Sequence, residues 1–109
     1  MNLGGGIVFR ELGALTVEDF RPLIGQDFRV TYPGVIENLT LVEAQASRTP
    51  TPAGLRPGFT LRFEGQSRER CLPQATHSIE HTAVGPLDLF IVPLGPGPNG
   101  QFVYEAVFG

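Results

Sequence analysis

Lysine is absent from this chain of 109 residues, and cysteine occurs only once. Without lysine ammonium groups, the chain cannot use a lysine Schiff base, a lysine general base or a P-loop lysine. A single cysteine cannot form a disulfide within the chain, so an apolar core and hydrogen bonds must hold the fold. Both absences narrow the available chemistry before any motif is considered.

Long apolar runs are also missing. The longest run covers residues 89–94, contains Pro93, and is far shorter than the roughly 20 residues that a membrane helix needs. The first 15 residues lack a basic leader, and Arg10 and Glu11 interrupt the stretch that would be apolar in an export signal. We therefore expect no membrane span and a cytoplasmic location, which is compatible with later incorporation into an extracellular assembly.

Basic residues are fewer than acidic ones. Eight arginines against eleven acidic residues give a net charge of -3, which disfavours a nucleic-acid partner. Fourteen glycines and ten prolines approach the level of a disordered chain, but eight phenylalanines and many aliphatic residues favour a packed core. The length predicts a single β domain over residues 1–109, in which the glycine run at positions 4–6 makes residues 1–6 flexible.

One short helix is predicted near the N-terminus. Thr16 is a suitable N-cap, and the next two acidic residues favour the first turn of a helix. Phe20 shares a face with Leu23 or Ile24 at helical spacing. Gly25 ends the helix after about two turns.

The rest of the chain alternates apolar and polar residues, which predicts strands. The predicted strands cover residues 26–32, 35–46, 59–65, 74–82, 87–92 and 102–108. The first two form a hairpin across Pro33-Gly34, and residues 47–58 form a long exposed loop that is the best candidate for mobility. Six or seven strands and one short helix predict an all-β fold, either an antiparallel sandwich or a small barrel.

Residues 77–81 match H-x-x-E-H, the inverted zinc-protease motif. That chemistry requires a helix, whereas the β-branched and proline-flanked surroundings favour a strand. In a strand His77 and His81 stand roughly 13 Å apart, and Glu80 faces the opposite way. We therefore expect no metal site and no cofactor here.

Gly95, Gly97 and Gly100 match the dinucleotide-binding pattern G-x-G-x-x-G. A strand follows them instead of a helix, and Pro96 and Pro98 have no N–H for a pyrophosphate. The pattern therefore indicates a hairpin loop.

A thiol nucleophile is the remaining catalytic candidate. Cys71 lies near Arg68 and Arg70, which favour a thiolate, but no orienting group accompanies it. We expect a small filler at the start of a strand. Asp88 and Glu105 are expected at the rims of the sheet and not as an acid–base pair. The sequence thus predicts no enzyme.

Four stretches carry a family resemblance. They are Leu72-Pro73-Gln74-x-Thr76, Ile79-Glu80-His81, Gly85-Pro86-Leu87-x-Leu89-Phe90-Ile91-Val92-Pro93 and Tyr104-Glu105-Ala106-Val107-Phe108. Over most of residues 12–109 the chain resembles a small bacterial, β-rich domain family of unknown function. The resemblance implies a protein with no assigned activity and an association with phage-tail-collar-like neighbours. Ala75, His77 and Thr82 depart from the family pattern, which has Gly, an aromatic residue and Pro at these positions.

We expect a non-enzymatic protein-interaction or assembly module, an accessory of a phage-tail-like or surface assembly, that binds a protein partner or itself. The alternative is a β domain that binds a small molecule or carbohydrate in a pocket lined by His77, Glu80 and His81. The candidate interaction residues are Leu72, Pro73, Gln74, Thr76, Glu80, His81 and Phe90.

Overall fold

The predicted helix and strands are present in the computed structural model, which describes residues 15–32, 35–47 and 58–108. A short helix, α1 (Val17–Phe20), runs into a 3-10 turn (Arg21–Leu23). The strands that follow are β1 (Asp27–Tyr32), β2 (Val35–Ala46), β3 (Phe59–Gly65), β4 (Ala75–His81), β5 (Gly85–Pro96) and β6 (Phe102–Phe108). The Thr16 N–H donates to Asp19 Oδ2 at 2.8 Å, which stabilises the start of α1.

These strands form one closed antiparallel barrel in the order β1-β2-β3-β6-β5-β4. Consecutive strands pair within β1–β3 and within β4–β6, while β3 pairs with β6 and β1 pairs with β4. Of the two predicted architectures the barrel is confirmed, because the β1–β4 pairing joins the two edges of the sheet. The sandwich alternative is wrong for the same reason.

The barrel interior is filled by side chains that alternate along each strand. The fully or almost fully buried ones include Phe28, Val30, Leu39, Leu41, Leu61, Phe63, Ile79, Leu87, Leu89, Ile91, Tyr104 and Ala106. Burial of each large apolar side chain stabilises the fold by about 1.5–3 kcal/mol. The β2–β3 register shifts between Leu41 and Glu43, so Val42 is an extra residue that turns outward.

The helix closes one end of the barrel. Phe20 is buried, and its ring centroid lies 5.7 Å from that of Phe59 and 5.7 Å from that of Phe108. Leu23 is buried as well, whereas Ile24 is exposed, so Leu23 is the helical partner of Phe20. The apolar face of α1 thus packs onto the starts and ends of several strands.

Residues 66–74 close the opposite end, and we call them the plug segment. They connect β3 to β4, which are not neighbours in the barrel, so this connection passes across its opening. Leu72 is the buried apolar side chain of this segment. The plug segment therefore completes the core at the end away from the helix.

Several predictions fall elsewhere in the chain. The flexibility of residues 1–6, the Pro33-Gly34 turn and residues 48–57 of the long loop lie outside the described residues. Within the part that is described, no helix is both long and apolar enough to cross a membrane.

Candidate functional site

Glu37 and Tyr104 bring polar groups into the barrel next to the plug segment. Glu37 lies two residues before Leu39 on the inward face of β2, and its Oε2 accepts the Ser67 N–H at 3.0 Å. The Tyr104 hydroxyl accepts the Leu72 N–H at 2.9 Å. Both side chains therefore satisfy backbone groups of the plug segment, as buried polar groups require.

His77 contributes a third contact to this end of the barrel. Its ring is almost fully buried, and Nε2 lies 2.8 Å from the Pro73 carbonyl oxygen. Because a carbonyl only accepts, Nε2 carries the proton and donates it. This side chain thus ties the beginning of β4 to the plug segment, and its hydrogen bond is a structural one.

Burial raises the pKa of Tyr104 to about 12, the largest cause being the loss of hydration of the phenolate. The Leu72 N–H opposes this increase, while the Cys71 side chain and the negative charge of Glu37 add to it. Tyr104 is therefore a neutral phenol at physiological pH. Cys71 itself is exposed and lies outside the strands, so the prediction of a small filler at the start of a strand was wrong.

An open cleft of about 440 Å³ lies on the outside of the barrel where β1 meets β4. It is lined by Asp27, Arg29, Glu80, His81, Thr82, Gly85 and Pro86. The described β1–β4 register covers only Arg29↔Glu80 and Val30↔Ile79, so the cleft opens where this pairing ends. As predicted for a strand, Glu80 faces outward while His77 is buried.

His81, Arg29 and Glu80 in the cleft each have a partner within the fold. The His81 Nδ1 accepts the Ala83 N–H at 2.9 Å, so Nε2 carries the proton and donates to Gln26 Oε1 at 2.7 Å. Arg29 pairs with Glu80 at 3.3 Å. Neither ring nitrogen of His81 has a lone pair free for a metal ion in this arrangement.

The carboxylate of Asp27 is engaged in the same way. Its two oxygens accept from Thr40 Oγ1 at 2.8 Å and from Gln66 Nε2 at 3.3 Å. Among the residues that the structure describes, no three His, Cys, Asp or Glu side chains are grouped so that they could hold a metal ion.

The outer face of β4, β5 and β6 carries exposed apolar side chains. Phe90 is 52% exposed and pairs across the strands with Thr76. Val107, on β6, is 66% exposed. Alternation places Phe90 opposite in direction to the buried Leu89 and Ile91, so its exposure follows from the strand itself.

The structure separates the candidate interaction residues into three places. Leu72, Pro73 and Gln74 lie in the plug segment, Glu80 and His81 line the cleft, and Thr76 and Phe90 are neighbours on the outer face. Their role in binding stays a prediction. Sequence reasoning missed Glu37 as an inward group, although it falls in phase with Leu39 and Leu41.

Comparison with known proteins returns one family. A family model described as a domain of unknown function, DUF6916, matches residues 15–108, from the buried Leu15 just before α1 to the end of β6. No curated protein and no solved structure matches the chain.

Proposed function

Because this chain belongs to the DUF6916 family, a domain of unknown function, we propose its role from the barrel itself. We propose a non-enzymatic protein-interaction or assembly module whose contact surface is the outer face of β4, β5 and β6. The observation that carries this proposal is the exposed phenyl ring of Phe90 on a barrel whose interior is filled. Aromatic side chains exposed in this way are enriched at protein interfaces.

The hydrogen bonds inside the barrel support a binding role over catalysis. Glu37, His77 and Tyr104 each bind the backbone of the plug segment. A general acid or base needs a proton within reach of a substrate. These three groups have their described hydrogen bonds inside the fold, so we propose a structural role for them. Placement in a phage-tail-like or surface assembly depends on the sequence resemblance alone.

Site-specific photo-crosslinking in the producing organism tests this function. A photoreactive phenylalanine analogue at Phe90 is expected to form an adduct with a defined protein partner. The control places the same analogue at Thr31, which is exposed on β1. Equal labelling from both positions, or no adduct from position 90, would overturn the proposal.

The cleft between β1 and β4 supports a second candidate function, the binding of a small polar molecule such as a sugar. Its volume of about 440 Å³ lies in the range of ligand pockets. Titration with a panel of mono- and disaccharides, followed by NMR of the backbone amides, tests it. Shifts confined to the cleft and weakened by Glu80→Gln would support this candidate, and unshifted amides would exclude these ligands.

A further inference from the structure

Positive charge is distributed unevenly along the chain. The last of the eight arginines is Arg70, so β4, β5 and β6 contain no Arg or Lys at all. The same strands carry Glu80, Asp88 and Glu105. The charged Asp, Glu, Arg and Lys side chains of β4, β5 and β6 taken alone are therefore all acidic.

Neighbouring strands neutralise two of these three acids. Arg29 of β1 pairs with Glu80 at 3.3 Å, and Arg62 of β3 pairs with Glu105 at 3.4 Å. Asp88 lies between them on β5, is exposed, and has no ion pair among the described residues. An uncompensated carboxylate thus marks the middle of the acidic half.

Asp88 and Phe90 point outward from the same face of β5. The β5–β6 pairing runs from Val92↔Glu105 towards the hairpin. Phe90 precedes Val92 by two residues and Val107 follows Glu105 by two, so both lie just outside the paired stretch. Phe90 and Val107 flank the position where this pairing stops. We call Thr76, Ser78, Asp88, Phe90 and Val107 the acidic–apolar face.

Resting on the proposed function, we propose that the acidic–apolar face binds a segment of another protein in which Arg or Lys stands next to apolar side chains. The cation pairs with Asp88, and the apolar side chains cover Phe90 and Val107. This assignment follows from charge complementarity, because the face supplies a carboxylate and no cation of its own.

A second copy of the chain is the less suitable occupant. A two-fold contact places the same surface on both subunits, so the acidic strands would face each other. The net charge of -3 adds repulsion between copies. A basic, apolar segment from a different protein meets neither penalty.

Selection from a phage-displayed library of random dodecapeptides on the full-length protein tests this proposal. We expect enrichment of peptides that combine Arg or Lys with apolar residues. Phe90→Ser is expected to weaken their binding at least about tenfold, and Asp88→Asn by roughly threefold to tenfold. Glu69→Gln, an exposed acid of the plug segment, is the matched control and is expected to leave binding unchanged.

The proposal is overturned if the enriched peptides lack basic residues. It is also overturned if their binding is insensitive to both Asp88→Asn and Phe90→Ser, or if selection on the wild type enriches no more peptides than selection on the Phe90→Ser protein. A dimer that sedimentation detects in the wild type and not in Phe90→Ser would identify a second copy as the occupant, and this also overturns it. Thermal melting of each variant confirms that the fold is retained.

The failure of this inference is distinguishable from failure of the proposed function. If crosslinking from position 90 finds a partner while the selected peptides lack basic residues, the function stands and the partner chemistry is wrong. If position 90 yields no adduct, the interaction surface itself is wrong.

Discussion

The Tyr104 hydroxyl accepts a hydrogen bond of 2.9 Å from the backbone N–H of Leu72. This contact joins β6 to the plug segment, in a place where neither residue is exposed to water. A buried N–H that loses its acceptor costs about 1–3 kcal/mol. Closure of this end of the barrel therefore depends on the hydroxyl of Tyr104 as well as on the side chain of Leu72.

Alkaline pH is expected to destabilise the protein through Tyr104. Burial raises its pKa from 10.0 to about 12, so the unfolded state loses the phenolic proton first. Stability from this group is complete below pH about 10 and decreases as the pH rises to about 12, by roughly 3 kcal/mol in total. Urea unfolding at a series of alkaline pH values measures this loss.

The control for that experiment is Tyr104→Phe, which keeps Tyr32, the other of the two tyrosines. This variant is expected to lose about 1–3 kcal/mol at neutral pH because the Leu72 N–H is left without an acceptor. Its stability is expected to decrease less steeply with pH than that of the wild type. Identical alkaline slopes for the two proteins would contradict the assignment.

Two replacements of Glu37 test whether its carboxylate stabilises the fold as a hydrogen-bond acceptor or only by filling space. Glu37→Leu leaves the Ser67 N–H without its 3.0 Å partner and is expected to cost about 1–3 kcal/mol. Glu37→Gln keeps an oxygen acceptor and is expected to cost less. Chemical denaturation of both variants checks the order, and a Leu variant as stable as the Gln variant would refute the proposed role.

Gly65 lies where β3 meets the plug segment, and it has no room for a side chain. A Cβ atom there would stand 2.9 Å from Glu37 Oε2 and 3.0 Å from Tyr104 Cε2. Gly65→Ala is expected to destabilise the protein by about 1–3 kcal/mol, since the side chains around it are packed. Thermal unfolding tests this, with the adjacent Glu64→Ala as a control that is expected to change little.

Replacing Phe20 and Phe90 by alanine compares the stability contributed by a buried phenyl ring with that contributed by an exposed one. Phe20→Ala removes a fully buried ring that contacts Phe28, Phe59 and Phe108, and it is expected to cost about 3–5 kcal/mol. Phe90→Ala removes a ring that is half exposed and is expected to cost much less. Equal losses in guanidinium unfolding would show that the outer face is part of the core.

The cleft and the outer face differ in how far the sequence predicted them. Alternation correctly put His77 and Glu80 on opposite faces of β4, which separates the first histidine of the H-x-x-E-H motif from its glutamate. Sequence reasoning did not predict that Gln26 and Ala83 occupy both ring nitrogens of His81, because Gln26 is 55 residues away in the chain. Such contacts depend on which strands become neighbours.

The β-bulges in β2 and β5 could not be predicted from the sequence either, for a different reason. Leu39 and Leu41 are inward as the period of two requires, but the register shift at Val42 changes the phase for the rest of β2. No residue type near Val42 indicates a bulge in the sequence, because the register shift arises from the pairing of β2 with β3. The same event occurs in β5, between Pro93 and Gly95, where Gly95 adopts a φ of +102°.

The sequence by itself determined that this chain forms mainly strands and which side chains turn inward between the bulges, because that pattern depends only on local alternation. It also determined the family, since the matching residues run from 15 to 108. Only the tertiary structure decided that the sheet closes through β1 and β4, that residues 66–74 cover one end, and that Asp88 has no ion pair with any residue that the structure describes. These features depend on contacts between residues far apart in the chain, such as Arg29 and Glu80, which no local pattern encodes.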